Sequence, residues 1–348
     1  MDLQLFWFLL IAVLWGGYFI LEGFDFGVGM LLPFVGRDER DRRTMLETIG
    51  PVWDGNEVWL VVAAGATFAA FPEWYATMFS GFYVALLVIV ALLIARVLSF
   101  EWREKSESAR WRSLWSGANT VASFLVPFLW GVALSTLLFG APLSSEGDYA
   151  GSFWDLFSLY SVLAGLVFVL LCAFHGATFL TLRTVGVLCE RAARAARLLA
   201  VGTAVAASAF LVSTLAVAGD RNDKDLFPPI LPAVLGIVAL ALAVLLVFRR
   251  RIGFAFAATA LGVFLTVATL FTSLYPRVFV SQPDFGNSLT VESASSSHYA
   301  LGVMTVAALI VTPIVLLYQG WTYYVFRARV GGEEVESPIE LIPGRSGT

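Results

Sequence analysis

Apolar stretches long enough to cross a hydrocarbon core, which takes about 20 helical residues, recur along the chain. They cover residues 3–33, 52–71, 74–99, 114–139, 153–182, 198–218, 227–248, 252–275 and 299–326. The polar stretches between them are of two kinds. Short, arginine-rich connections follow the first, third, fifth, seventh and ninth runs, whereas the connections at 140–151 and 276–298 are longer and rich in Ser, Gly and acidic residues. This pattern predicts an all-α, polytopic membrane protein with nine transmembrane helices.

The basic residues orient those helices. Of the 22 Lys and Arg residues, all but Arg221, Lys224 and Arg277 belong to one side, from Arg37 after the first run to Arg345 after the last. The positive-inside rule therefore predicts an N-terminus outside and a C-terminus in the cytoplasm, with an odd number of spans. The connection around Phe71, Pro72 and Glu73 is so short that the second and third helices must be antiparallel neighbours. Helices one to four and five to eight run in the same order and orientation, which allows two four-helix bundles, residues 1–139 and 140–275. An outer loop with the ninth helix (276–330) and a cytoplasmic tail (331–348) follow. The first run has no basic segment before it and no small-residue cleavage site after it, so it is read as a retained helix.

Composition agrees: 59% of residues are hydrophobic, 14% are charged and the mean hydropathy is +0.81, against about 25% charged for a soluble domain. A net charge of −4 without a basic face excludes nucleic acid as a partner. Cys172 and Cys189 lack a ligand spacing, and the two histidines, His175 and His298, are placed toward opposite ends of the membrane. They cannot clamp one haem from its two faces, and each reads more simply as a packed or exposed side chain. No nucleotide-binding glycine loop, zinc-protease motif or nucleophile elbow is present. The preference for arginine over lysine, with abundant Ala and Val, points to a GC-rich bacterial genome.

Candidate chemistry lies where carboxylates interrupt apolar runs. Glu22 and Asp25, in GYFILEGFDFGVGMLLPF, are three residues apart and share a helix face. Asp54 and Glu57, in GPVWDGNEVW, open the second run. A carboxylate in hydrocarbon is costly and is by default a functional candidate. At about 1.5 Å per residue from the loop near Arg42, Asp25 and Asp54 fall at matching depth in the inner half of the membrane. On consecutive antiparallel helices they are candidates to meet and to pass protons. Helix capping by Asp54 or Asn56, with a break at Gly55, is the structural alternative. Gly23 and Gly27 form a G-x-x-x-G spacing that admits a second backbone closely. Arg96 either pairs with an acidic neighbour or marks a helix end, and Trp53 reads as an interface anchor, while Trp59 lies deeper. On these residues alone a proton-coupled secondary transporter fits, although helices five and six offer no counterpart to the acidic features.

The segments GFDFGVGML and RRTMLETIGPVWDGNEVWLVVAAGATFAAFPEWYATMFSGFYVAL, then Arg96 with FEWREK, and later TLRTVG, resemble subunit II of the cytochrome bd quinol oxidases. The match is dense over residues 1–115 and collinear to the C-terminus. It implies a haem-free subunit beside a subunit I that carries haems b and d and the quinol site, the pair oxidising quinol and reducing dioxygen to water with protons drawn from the cytoplasm. It implies a bacterial plasma membrane location, quinol, dioxygen and lipids as further partners, and in some members small accessory subunits or a structural quinone. No catalytic, cofactor-binding or metal-ligating residue is implied in this chain. By motif, Asp25 in GFDFG and Asp54 in WDGN resemble acidic residues on a proton path, with Glu22 a weaker member. Trp59 in NEVW resembles a tryptophan on a hydrophobic oxygen-access route. Glu57 stands where some members have a neutral residue and takes no role from the resemblance.

Overall fold

The computed structural model describes residues 2–331. The expected tail beyond Gly331, and Arg345 with it, lies outside the described residues. Helix α1 (Leu3–Val35) starts where Asp2 accepts the amides of Gln4 and Leu5, a side-chain cap that satisfies two free N–H groups. From Glu22 to Leu32 every residue of α1 is buried, because this helix packs against α3 (Trp53–Ala70), α6 (Ala109–Phe139), α7 (Leu159–Arg183) and α10 (Ile252–Leu274). An apolar helix buried on all sides is the centre of its fold.

The glycines of α1 set how closely its neighbours come. A Cβ on Gly27 would collide with the carbonyl of Cys172 and lie 2.7 Å from the Cα of Gly176, so α1 and α7 cross backbone to backbone. Gly29 similarly admits Asn119 and Ser123 of α6. The close approach expected from the G-x-x-x-G spacing is thus made, and its partner is the AFHG segment of α7.

Around α1, helix α8 (Gly186–Asn222) packs on α7 and on α9 (Ile230–Phe248), and α9 and α10 pair in turn. Helix α5 (Tyr83–Trp102) lies against α6. Helix α11 (His298–Val325) touches α1 and α3, and Leu301 is its one buried residue among those described. It is held by polar contacts, including the Trp7 indole, which donates to the Thr305 hydroxyl at 3.0 Å.

Eight helices, α1, α5 and α6 to α11, are long and apolar enough to span a membrane. The expected second span is α3, of 18 residues. It falls outside that set because Asp54, Asn56 and Glu57 crowd its first turns. The expected third span is broken at Phe82 into α4 (Pro72–Gly81) and α5. Phe82 is fully buried between the rings of Tyr149 and Phe279, 6.1 and 5.6 Å away, and Gly81 has no room for a Cβ beside Tyr149. Contacts from loops distant in sequence therefore break this helix.

Two features fall outside the apolar runs. The first basic loop forms α2 (Glu39–Ile49), capped by Asp38 and tied to α8 by an Asp41–Arg191 ion pair at 2.7 Å. Its apolar face, Met45, Thr48 and Ile49, is buried. The loop before α11 contributes an antiparallel pair, β1 (Arg277–Phe279) with β2 (Leu289–Thr290).

Candidate functional site

Tyr18, Glu22 and Asp25 stand at i, i+4 and i+7 on α1, so they share one face. All three are fully buried. Glu22 Oε1 forms an ion pair with Arg96 Nη1 of α5, and that guanidinium is itself fully buried. It lies over the Phe26 and Phe100 rings, 4.7 and 5.3 Å from their centroids, adding cation–π attraction to the ion pair. Of the two readings of Arg96, the pairing with an acidic neighbour is the one realised.

Asp25 is held by Asn56 of α3, whose Nδ2 donates to Asp25 Oδ2 at 2.7 Å and to the Leu21 carbonyl at 3.2 Å. The Asn56 carbonyl oxygen accepts from Tyr323 Oη at 2.6 Å and from Gln319 Nε2 at 3.1 Å, both on α11. Gln319 Oε1 accepts the Trp59 indole N–H at 2.7 Å. Asn56 thereby uses its full hydrogen-bonding capacity, two donors and two acceptor positions, which fixes its orientation. It joins α1, α3 and α11 at one point.

The carboxylates are only half satisfied. Glu22 Oε2, Asp25 Oδ1, Tyr18 Oη and Arg96 Nε and Nη2 are buried with no protein partner among the described residues. Buried polar atoms of this kind are served by water or by a shared proton.

Asp54 is not in this cluster. It is exposed in the first turn of α3, and neither it nor the half-buried Glu57 forms a hydrogen bond or ion pair among the described residues. The expected meeting of Asp25 with Asp54 is replaced by Asp25 with Asn56. At about 100° per residue, two residues are about 200° apart around the axis, so when Asn56 faces α1, Asp54 faces away. Capping does not explain Asp54 either: Val52 is the cap residue without a side-chain bond, and α3 continues through Gly55. Trp59 shares the Asn56 face, three residues on, and its ring fills the space beside Gly17.

Asn56 reads from the sequence only as a capping candidate, and Gln319 and Tyr323, which carry the network with it, were not singled out there. The available signal was the pair Gln319 and Tyr323, polar groups four residues apart inside the otherwise apolar ninth run. His175 is fully buried, its Nδ1 2.6 Å from Thr259 Oγ1 and its Nε2 3.2 Å from the Ile20 carbonyl, with its ring stacked on Phe256. His298 is exposed at the start of α11. No cluster of metal-ligating side chains occurs among the described residues.

Fold and site together define a multi-pass membrane protein organised around buried ionisable groups. The chain belongs to the cytochrome bd terminal oxidase subunit II family, whose model matches residues 3–326. The cytochrome bd ubiquinol oxidase subunit 2 of Bacillus subtilis (strain 168) is 42% identical, over 94% of this chain and 97% of that one. The cytochrome bd-I ubiquinol oxidase subunit 2 of Escherichia coli (strain K12) is 36% identical, over 96% and 97%. The structure of bd oxidase from Geobacillus thermodenitrificans contains a chain of the same fold, with a TM-score of 0.76 at 19% identity, covering 94% of this chain and 99% of that one. These relatives are subunits of an oxidoreductase complex, and the family assignment displaces the transporter reading.

Proposed function

We propose that this chain is the haem-free subunit II of a bacterial cytochrome bd oxidase, which oxidises quinol and reduces dioxygen to water with the haems b and d in its partner subunit. In this reading α3 also crosses the membrane and brings the count to nine, the N-terminus lies outside and the basic loops face the cytoplasm. Helices α1 to α6 form one bundle, α7 to α10 a second, and α11 is appended to the first.

The observation that carries the proton role is the asymmetry of the two buried carboxylates. Each has one oxygen anchored, Glu22 by Arg96 and Asp25 by Asn56. Each leaves its other oxygen buried without a protein partner among the described residues, on the helix face that also carries Tyr18. An anchored carboxylate with one free oxygen accepts and releases a proton without moving. Asp54, exposed on the far side of α3, acts at the surface of the chain, where protons are taken up or handed over, and Glu22 and Asp25 act inside.

The haem-free assignment is tested on the purified complex. His175→Gln combined with His298→Gln is expected to leave every haem absorption band in place, since both His175 nitrogens already have partners. Loss of one band while the larger haem-bearing chain still co-purifies would overturn it, as would a colourless preparation without such a chain.

Trp59 is assigned to oxygen access. Trp59→Ala is expected to shift the KM for dioxygen while leaving the KM for quinol in place. Trp59→Phe, which keeps an apolar ring and loses only the bond to Gln319, is expected to behave nearly as the parent. Unchanged oxygen kinetics in the Ala variant would leave packing as the whole role of this side chain.

A further inference from the structure

The ends of α7 and α11 enclose a cavity of about 330 Å³, whose lining shares Tyr323 with the network above. Three guanidinium groups line it: Arg183 closes α7, and Arg327 and Arg329 follow α11. The segment after α11 is fixed there because the Val330 amide donates to the Arg183 carbonyl at 2.7 Å. Arg183 is only 9% exposed, yet its side chain has no hydrogen bond or ion pair among the described residues. Its nearest aromatic neighbour is Phe179, with the ring centroid 6.0 Å away. A guanidinium so placed, with no carboxylate among the described lining residues, favours an anion in the cavity.

The walls narrow the choice of anion. Val52, Phe179 and Phe256 make one side apolar, the Thr48 hydroxyl of α2 already donates to the Met45 carbonyl, and no carboxylate is among the lining residues described. A free phosphate would leave the aromatic wall without a partner. An amphiphile satisfies both halves, with phosphate oxygens on the arginine forks and methylenes on the rings. Basic pockets between the ends of membrane helices bind acidic headgroups on this principle.

We propose that this cavity holds the phosphate of an anionic phospholipid, gripped by Arg183, Arg327 and Arg329, with the start of an acyl chain lying against Phe179 and Phe256. The inference rests on the reading that α7 and α11 cross the membrane with these ends at its surface.

The test uses the assembled, delipidated oxidase in detergent, titrated separately with dihexanoylphosphatidylglycerol, dihexanoylphosphatidylcholine and inorganic phosphate, and followed by thermal unfolding. The glycerol lipid is expected to raise the unfolding temperature saturably while the other two do not. Arg329→Gln is expected to weaken its binding about five-fold and Arg183→Gln about tenfold, whereas Arg110→Gln, away from the cavity, leaves it unchanged. An equal response to the choline lipid or to phosphate overturns the proposal, as does undiminished binding in both cavity variants. If Arg183→Gln does not assemble, Arg329→Gln decides alone. A lipid response that emerges only when the chain is shortened to end at Gly331 would assign the cavity to the acidic stretch 333–340, and would also overturn it. The haem spectrum of the same samples reports separately on whether the chain is an oxidase subunit.

Discussion

Arg96→Gln is expected to destabilise the subunit by about 3–5 kcal/mol, the usual consequence of removing one partner from a buried ion pair. Glu22 is fully buried, and among the described residues that guanidinium is its one partner for charge. Without it the carboxylate remains fully buried, with no second cation supplied by the described residues. Because folded domains are stable by only about 5–15 kcal/mol, the loss should show as a sharply reduced yield of assembled complex and a lower unfolding temperature. The double variant Glu22→Gln with Arg96→Gln separates charge from shape. It removes both buried charges and keeps two amides of suitable size, so most of the lost stability should return. A single variant as stable as the parent, or a double variant no better than the single one, would show that the pair does not hold α1 to α5.

The outline of this fold is legible in the sequence because crossing a membrane imposes a length and a polarity that few other segments satisfy. The runs that became α1 and α6 to α11 lie in the sequence as long apolar stretches, while the short turn at Phe71 sets only α4 beside α3, since α5 packs on α6. What remained hidden is set by contacts between distant residues. Phe82 sits inside an apolar run that predicts a continuous helix, and it breaks that helix because Tyr149 and Phe279 close around it. Helix α2 is too short and too charged to register as an apolar run, and it exists because Met45 and Ile49 find cover against the helices above them.

The site divides in the same way. That Glu22 and Asp25 matter follows from a carboxylate in an apolar run, and that Arg96 would need a partner follows from its place at the end of another. Depth along a helix can be counted from the sequence, but rotation about its axis cannot. Asp54 and Asn56 are at nearly the same depth, and only the rotation of α3 decides that the amide meets Asp25 while the carboxylate faces outward. A saturated amide is also well suited to that place, since it fixes one oxygen of Asp25 without adding a second negative charge beside it.

Asp25→Asn is expected to lower quinol oxidase turnover roughly a hundredfold, within the range by which positioned proton transfer accelerates a reaction. The substitution keeps the shape of the side chain, and an amide oxygen at the position of Oδ2 still accepts from Asn56 Nδ2, so α1 and α3 remain joined. What is lost is the titrating group itself, whose Oδ1 is buried with no protein partner among the described residues. Haem content and co-purification of the partner are therefore expected to persist while proton uptake slows. Asp54→Asn, at the exposed end of the same route, is expected to reduce turnover as well, and since its side chain has no structural bond among the described residues, stability should be unaffected. If both carboxylates serve one path, the double variant is no slower than the slower single variant, because a path already closed at one point is not closed further at another. Multiplying losses would instead place Asp54 and Asp25 on separate routes. Full turnover with undiminished proton uptake in both single variants would remove the path altogether, and loss of haem or of the partner subunit in Asp25→Asn would make that carboxylate a structural anchor for Asn56 and, through it, for α11.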